Sequence, residues 1–222
     1  MATPDDGSST APAARSPRTV RRAARNKEDL LARAGAVVAE RGFEATRFSD
    51  VATHTGASVS TLQYLFGNRE DLVVQALRAR TRRMLTEAHR LSGAIEDPLE
   101  RLRWVADHLA AHDDDSAVAR DEWMLWVEYW RAALRDEELA TESLGAYDEW
   151  LRLVRDAVAA AVSAGVVRQP DDVDLVAQGA CAVADGLGIQ IALGRPGATW
   201  QRARLVTRSW LAAALDCPEL LR

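Results

Sequence analysis

The sequence predicts an all-α protein. Apolar residues recur at spacings of three and four positions over most of the 222 residues, which is the period of one buried helix face. Short breaks that contain Gly, Pro or acidic residues separate these segments, as at Ser92-Gly93 and at residues 194–197. No segment alternates apolar and polar residues as a half-buried strand does, and no internal repeat is present.

Residues 1–24 are expected to form a disordered basic arm. Residues 1–17 are rich in Ala, Pro, Ser, Thr, Asp and Gly and offer nothing that could form a core. Residues 15–27 carry six basic residues and no acidic one. This pattern favours contact with phosphates or a minor groove, although a solvated tail has the same composition.

Residues 25–72 predict a domain of three helices, of which the last two are short and joined by a tight turn. The first helix is expected from about Lys27 to Arg41, because its apolar residues form one stripe. The second has an apolar side that includes Phe48 and Val51.

The third helix follows Gly56, where the turn needs a residue without a Cβ, and Ser58 can cap it. Its inner face is predicted at Val59, Leu62 and Phe66. Its outer face is polar and holds no acid, with the side chains Ser60, Thr61, Gln63 and Tyr64. A short helix with a neutral polar face, packed on another helix, is typical of a helix-turn-helix in the DNA major groove.

A dense motif runs through this segment: Gly42-Phe43-Glu44-Ala45-Thr46, Asp50-Val51-Ala52, Thr55-Gly56-Ala57-Ser58, Thr61-Leu62, Tyr64, Phe66 and Arg69-Glu70-Asp71-Leu72. In this pattern the sequence resembles the DNA-binding domain of the tetracycline-repressor (TetR) family. It departs from the family at two positions. Arg47 stands where Ser or Thr usually caps the second helix, and Gln63 stands where Tyr is usual.

The resemblance implies a set of DNA contacts. Thr61 and Tyr64 match positions that contact phosphate, and Arg69 matches the residue that clamps phosphate near the next helix. Gln63 has two alternatives, reading an adenine edge or touching only the backbone. The candidate DNA contacts are Arg25, Lys27, Arg47, Ser58, Ser60, Thr61, Gln63, Tyr64 and Arg69, each with a solvated surface side chain as its alternative.

Residues 73–216 predict a second, helical domain. A long helix from near Asn68 to Leu91, broken at Ser92-Gly93, could couple the two domains mechanically. Pro98 starts the next helix, because Pro suits a first turn. The helix after that has a largely aromatic face, formed by Trp123, Trp126, Val127, Trp130 and Leu134.

The last two helices are expected at residues 171–193 and 198–215. The first is apolar nearly all round and rich in Ala and Gly, so it should be buried on all sides. A second copy of the protein is the expected cover, and small residues allow close approach. We therefore expect a homodimer through these two helices, which sets two DNA-binding domains at successive major grooves. The TetR resemblance implies the same arrangement.

The second domain carries a further resemblance. An aromatic helix that ends in Arg135-Asp136-Glu137-Glu138-Leu139 is paired with a later segment, residues 182–194. Together they resemble the C-terminal domain of choline-responsive, BetI-like regulators. The resemblance implies a pocket inside the helical domain that admits an effector and alters the spacing of the DNA-binding domains.

Tryptophan is abundant, with seven residues, four of them between positions 104 and 130. Aromatic faces near a carboxylate suit an organic cation, and Glu128 and Asp185 are candidate counter-charges. A packed aromatic core is the alternative for the rings, and a solvated or hydrogen-bonded side chain for the acids. The candidate ligand-binding residues are Trp104, His108, Trp123, Trp126, Glu128, Trp130, Tyr147 and Asp185.

The net charge of −5 hides a split. Residues 1–82 hold 13 basic and 9 acidic residues, a net +4, whereas residues 83–222 hold 15 and 24, a net −9. A basic end on an acidic remainder fits DNA contact confined to one end.

Other composition features narrow the class of protein. No apolar run is judged long enough to span a membrane and the N-terminus lacks an apolar signal region, so we expect a cytoplasmic protein. Cys181 and Cys217 are isolated, which predicts reduced, buried thiols. No cluster of His, Cys and carboxylates predicts a metal, and no cofactor is expected.

These observations favour a homodimeric, ligand-responsive transcriptional regulator. The simplest form is a repressor that binds palindromic operator DNA and is released by a small molecule, cationic or aromatic. A ligand-binding adaptor and a helical enzyme that uses the Trp-lined cavity are the alternatives. No nucleophile–base pair or Gly-rich phosphate loop supports the enzyme.

Overall fold

The computed structural model describes residues 17–42, 44–111 and 116–222, which form nine α-helices, one short 3-10 helix and no strand. The predicted all-α class is confirmed. The helices are α1 (Pro17–Arg41), α2 (Phe48–Thr55), α3 (Val59–Phe66), α4 (Arg69–Ala94), α5 (Pro98–Ala110), α6 (Ser116–Ala133), α7 (Glu137–Ser163), α8 (Val173–Ala192) and α9 (Trp200–Ala214), and the 3-10 helix is Pro218–Leu221.

Helix α1 starts ten residues earlier than predicted. It begins at Pro17, so residues 17–24 are helical rather than part of a disordered arm. Proline suits the first position of a helix because it needs no N–H there, and the Ala and Arg residues that follow favour helix. Residues 1–16, the remainder of the predicted arm, lie outside the described residues.

The N-terminal part, which we call the head (α1–α3 and α4 as far as Ala76), has its own small core. Gly56 adopts a left-handed conformation (φ 75°) in the turn between α2 and α3, as its position predicted. Val59, predicted to face inward, is exposed, and Leu65 packs against the core instead. The core is formed by Leu31, Ala34, Val37, Val51, Leu62, Phe66, Leu72 and Ala76.

The remaining residues form the body, which shares two helices with the head. Val38 of α1 and Val73 and Leu77 of α4 lie in the body core, although their helices also build the head. Helix α4 does not break at Ser92-Gly93 but ends at Ala94, since one Gly costs a helix only about 1 kcal/mol. One continuous helix therefore joins the head to the body.

Two predicted helix features of the body need correction. Helix α6 ends at Ala133, so Leu134, which was assigned to its aromatic face, lies beyond it and is 86% exposed. By length and composition, α8 is the one described helix that could cross a membrane, with a mean hydropathy of 1.4, whereas the sequence was expected to hold no such segment.

The small residues of α8 are used inside the protomer. A Cβ added at Gly188 would overlap the indole of Trp123 on α6, and one at Gly179 would overlap the indole of Trp210 on α9. Both indoles therefore rest directly on the α8 backbone. Close approach between two protomers stays a prediction; within one chain, Gly179 and Gly188 already allow neighbouring helices to pack closely on α8.

Candidate functional site

The polar face of α3 is open to solvent. Ser60, Thr61 and Gln63 are exposed, and Tyr64 is 81% exposed. Ser58 caps the helix as predicted, because its Oγ accepts from the Thr61 N–H at 3.1 Å. Its hydroxyl also lies 2.7 Å from Thr61 Oγ1 and 2.9 Å from Ser60 Oγ. The cap and its neighbours thus form one short hydrogen-bonded cluster at the start of α3.

The basic candidates of the head are placed differently from one another. Arg47 is exposed at the start of α2, and its backbone N–H takes part in capping by donating to Asp50 Oδ2 at 2.9 Å. Lys27 places its Nζ 5.2 Å from the Phe66 ring centroid, at the end of α3. The side chain of Arg25 lies outside the described residues.

Arg69 is committed to contacts within the head. Its guanidinium donates to Glu70 Oε1 at 2.8 Å and to the Thr46 carbonyl at 3.4 Å, and lies 3.9 Å from Glu44. The side chain is only 23% exposed. These contacts tie the loop before α2 to the start of α4.

A second feature is an aromatic cavity in the body, between α5, α6, α7 and α8. Its volume, as a water-sized sphere would fill it, is about 30 Å³, room for about two water molecules. Five rings and one carboxylate, which we call the cage, make most of its wall: Trp123, Trp126, Trp130, Tyr147, Trp150 and Asp185. Leu109, Cys181 and Ala184 complete the lining.

The rings of the cage stand at angles to each other. Trp126 and Trp130 are 5.9 Å apart between centroids, and Trp123 meets Trp130 edge-on at 6.5 Å. Trp126 also meets Trp150 edge-on at 6.5 Å. Tilted and edge-on pairs leave ring faces available to a guest, as a stack of parallel rings would not.

Trp123 is fixed on two sides. Its Nε1–H donates to the carbonyl of Ala110 at 3.1 Å, which satisfies the indole donor in a buried position. Its ring lies against Gly188, where no side chain intervenes. The indole therefore has a single position, with Gly188 on one face and the cavity beside it.

Asp185 is the carboxylate of the cavity. Tyr147 donates its hydroxyl to Asp185 Oδ2 at 3.0 Å. Burial raises the pKa of Asp185 to about 6, and the Tyr147 hydrogen bond opposes this rise. Burial and the charge of Asp185 also raise the pKa of Tyr147, so the phenol stays a neutral donor. At neutral pH the cavity thus holds one half-buried negative charge.

Cys181 lies one helical turn before Asp185. Burial, followed by the neighbouring charge of Asp185, raises the pKa of its thiol to about 12. The thiol is therefore protonated at neutral pH and is not a nucleophile. The prediction of buried, reduced cysteines is confirmed for Cys181 and Cys217.

Three sequence candidates do not line the cavity. Trp104 stacks on His108 at 4.3 Å, and His108 lies 5.9 Å from Trp150, so this pair backs the cavity wall from outside. Glu128 accepts from Arg131 at 3.1 Å and lies 3.4 Å from the position of a Cβ on Gly42. Glu128 is thus at the junction with the head.

Helix α6 joins the cavity to that junction. One of its faces carries the cage residues Trp123, Trp126 and Trp130. Other positions face away from the cage: Glu122 pairs with Arg80, in the part of α4 that belongs to the body, at 2.6 Å. Arg131 pairs with Glu44, in the loop before α2, at 3.2 Å. A displacement of α6 would therefore change both the cavity and the contact with the head.

Part of the lining was not predicted from the sequence. Cys181 and Ala184 lie four and one positions before Asp185, so helical spacing could have placed all three on one side of α8. No comparable signal pointed to Leu109. Among the described residues, no three His, Cys, Asp or Glu side chains are grouped as a metal ion would require.

Comparisons with known proteins agree with this architecture. Residues 30–76 match the bacterial regulatory proteins of the tetR family, and residues 98–216, over half of the chain, match the C-terminal domain of BetI-type transcriptional repressors. The HTH-type transcriptional regulator BetI of Stenotrophomonas maltophilia (strain R551-3) is 25% identical over 115 residues, 51% of this chain and 57% of that protein. The chain thus matches a little over half the length of this curated relative.

Solved structures extend the similarity over most of the chain. A transcriptional regulator from Saccharomonospora viridis, crystallised in complex with choline, has a TM-score of 0.74 and 26% identity, and the match covers 85% of this chain and 96% of that one. A TetR regulator from Haloarcula marismortui, with a TM-score of 0.74, 17% identity and coverage of 86% and 99%, shares the fold alone. The chain belongs to the TetR family of transcriptional regulators, with a C-terminal domain of the BetI type.

Proposed function

We propose that the protein is a homodimeric repressor that binds palindromic operator DNA and is released by a small quaternary ammonium compound. The observation that carries the proposal is the cage, in which five aromatic rings lie around one half-buried carboxylate. Such rings attract a cation by about 0.5–2 kcal/mol each, and the carboxylate neutralises its charge. The similar regulator from S. viridis was crystallised with choline, which is a ligand of this class.

The narrowness of the cavity supports a coupling of ligand to DNA. A trimethylammonium group is larger than this space, and we infer that its binding moves the cage helices apart. We infer that α6 moves with its tryptophans, which shifts Arg131 relative to Glu44 of the head and Glu122 relative to Arg80 of α4. A head spacing that no longer matches two half-sites would lower DNA affinity.

We further propose that the exposed face of α3 enters the major groove, with Tyr64 and Gln63 at its centre. Arg47 and Lys27 would contact the flanking phosphates. Arg69 would act indirectly, by holding the loop before α2 in place. Residues 15–27 would add sequence-independent affinity and salt dependence.

The dimer is proposed through α8 and α9, as the sequence indicated for residues 171–193 and 198–215. Exposed apolar side chains on or next to these helices support it: Leu175, Leu193, Leu205 and Val206. The same contact would cover the open side of α8, which accounts for its apolar composition without a membrane. We propose a cytoplasmic location, since the DNA target is there.

The test is a footprint on the DNA upstream of the protein's own coding region, with and without choline. A palindromic footprint that choline removes is the expected result. Tyr64→Ala should weaken operator binding at least about tenfold, because one contact at the DNA surface is lost. Leu144→Ala, at an exposed position of α7, is the matched control. A non-palindromic footprint, or one that choline leaves in place, would contradict the proposal.

Choline affinity is expected to depend on pH. Burial raises the pKa of Asp185 to about 6, and only the ionised carboxylate attracts the cation, so affinity should fall as pH decreases through 6. The loss should reach about tenfold at pH 5. Isothermal titration calorimetry between pH 5 and 8 measures it. Asp185→Asn should remove the pH dependence, which separates Asp185 from His108 behind Trp150. A constant affinity in the unchanged protein would contradict this assignment.

A further inference from the structure

A second, larger space lies on the other side of α7. This cleft has a volume of about 230 Å³ and separates α4 from α7, with Tyr129 of α6 at its base. It shares no lining residue with the cage, although the ring centroid of Tyr129 lies 6.1 Å from that of the cage residue Trp126. Its lining residues are Arg78, Thr81, Arg82, Leu85, Tyr129, Glu142, Gly145, Ala146 and Glu149.

The carboxylates of the cleft are already neutralised. Glu142 lies 2.5 Å from Nε of Arg78, whose guanidinium also donates to Glu138 at 3.1 Å. Burial raises the pKa of Tyr129 to about 12, so its hydroxyl stays protonated and donates to Glu142. Glu149 pairs with Arg152 at 2.8 Å and lies 3.5 Å from His89 Nε2. Both acids therefore already have cationic partners within the chain.

Arg82 is the uncompensated charge of the cleft. It is exposed, and within the described part of the chain it has no carboxylate partner. The neighbouring wall is apolar, because it is made by Leu85, Gly145 and Ala146. A Cβ on Gly145 would meet no atom of the described residues within 4 Å. A larger side chain at this position would therefore project into the cleft without displacing a neighbour.

We propose that this cleft binds a small organic anion, with its carboxylate on Arg82 and a short apolar body against Leu85 and Ala146. The ligand class follows from one available guanidinium beside an apolar wall. Such a ligand would bridge α4, which continues into the head, and α7, which carries Tyr147 of the cage. It would be a second effector site that binds an anion, whereas the cage binds a cation.

The test is isothermal titration calorimetry of the full chain with hexanoate, and with inorganic phosphate as a probe of charge alone. Hexanoate should bind at one site per chain and more tightly than phosphate. Arg82→Ala should weaken hexanoate binding at least about tenfold, since a charge-assisted contact is lost, whereas Arg83→Ala, the adjacent exposed arginine, should not. Gly145→Leu should block the site without unfolding the chain, as a melting temperature would verify.

The outcomes also separate the cleft from the cage. Hexanoate binding should survive Asp185→Asn, and choline binding should survive Arg82→Ala. Absence of hexanoate binding at millimolar concentration would overturn the proposal. Equal affinity of the Arg82→Ala and Arg83→Ala variants would do the same, since the anion would then be held elsewhere. Phosphate that binds as tightly as hexanoate would overturn the role of the apolar wall.

Discussion

Replacement of Asp185 by Asn is expected to weaken choline binding by about 10- to 100-fold. The substitution keeps the size of the side chain and a partner for the Tyr147 hydroxyl, and removes the half-buried negative charge of the cage. A cation moved from water into an apolar cavity without its counter-charge loses about 1.4–3 kcal/mol of binding free energy. Isothermal titration calorimetry at pH 7.5 measures the loss.

The same substitution should stabilise the ligand-free protein. Because burial raises the pKa of Asp185 above that of an unfolded chain, ionising it costs folding free energy above pH 6, and that cost disappears between pH 6 and 4. The amide of the Asp185→Asn variant would be neutral throughout, so its melting temperature should rise relative to the unchanged protein at pH 7 and not at pH 4. Lower affinity with lower stability would instead indicate general damage to the fold.

Glu128→Gln provides the contrasting variant. Glu128 lies beside Gly42 and bonds Arg131, outside the cavity, so choline affinity should be unchanged. Its effect should be seen in operator binding, because it belongs to the junction between α6 and the head. A loss of choline affinity equal to that of Asp185→Asn would contradict the assignment of the counter-charge.

Gly188→Ala is expected to lower the free energy of unfolding by about 1–3 kcal/mol and to abolish choline binding. The new methyl group would overlap the Trp123 ring. The ring cannot shift away from α8 without breaking the hydrogen bond from its Nε1–H to the Ala110 carbonyl. The indole must therefore turn into the cavity or push α6 away from α8. Chemical denaturation and calorimetry with choline measure the two effects.

Gly186→Ala is the matched control on the same helix. Among the described residues of its own chain, a Cβ there meets no atom within 4 Å, so the substitution should stabilise α8 of the protomer by about 0.5–1 kcal/mol through helix propensity. A stable Gly188→Ala variant that still binds choline would show that Trp123 has room to move. Trp123→Phe in the Gly188→Ala background should recover stability, because the smaller ring makes room for the methyl group.

Helix positions were predictable from sequence wherever a local signal sets them. Asp97 caps α5 before Pro98, and Ser58 caps α3, because these side chains satisfy free N–H groups of a first turn. The start of α1 and the continuation of α4 through Ser92-Gly93 were missed. Both depend on the summed helix propensity of neighbouring residues. The composition of the N-terminal segment and the presence of one Gly are poor guides to that sum.

The cage was only partly predictable. Trp123, Trp126 and Trp130 share one side of a helix, so their common face could be deduced from spacing alone. The same rule places Glu128, two positions from Trp126, on the opposite side, although its closeness in sequence suggested a shared pocket. The pairing of Asp185 with Tyr147 could not be deduced, because it depends on how α7 packs on α8.

Because several indoles lie close together in the cage, the native tryptophan fluorescence of the protein should report on ligand binding. Trp123, Trp126, Trp130 and Trp150 form a connected group in which each ring centroid lies within 6.5 Å of another, close enough for excitation absorbed by one to pass among all four. A cation seated between them would alter the emission of the group rather than of one ring. Compounds could therefore be screened as effectors by native fluorescence, without a label, a substrate or the operator.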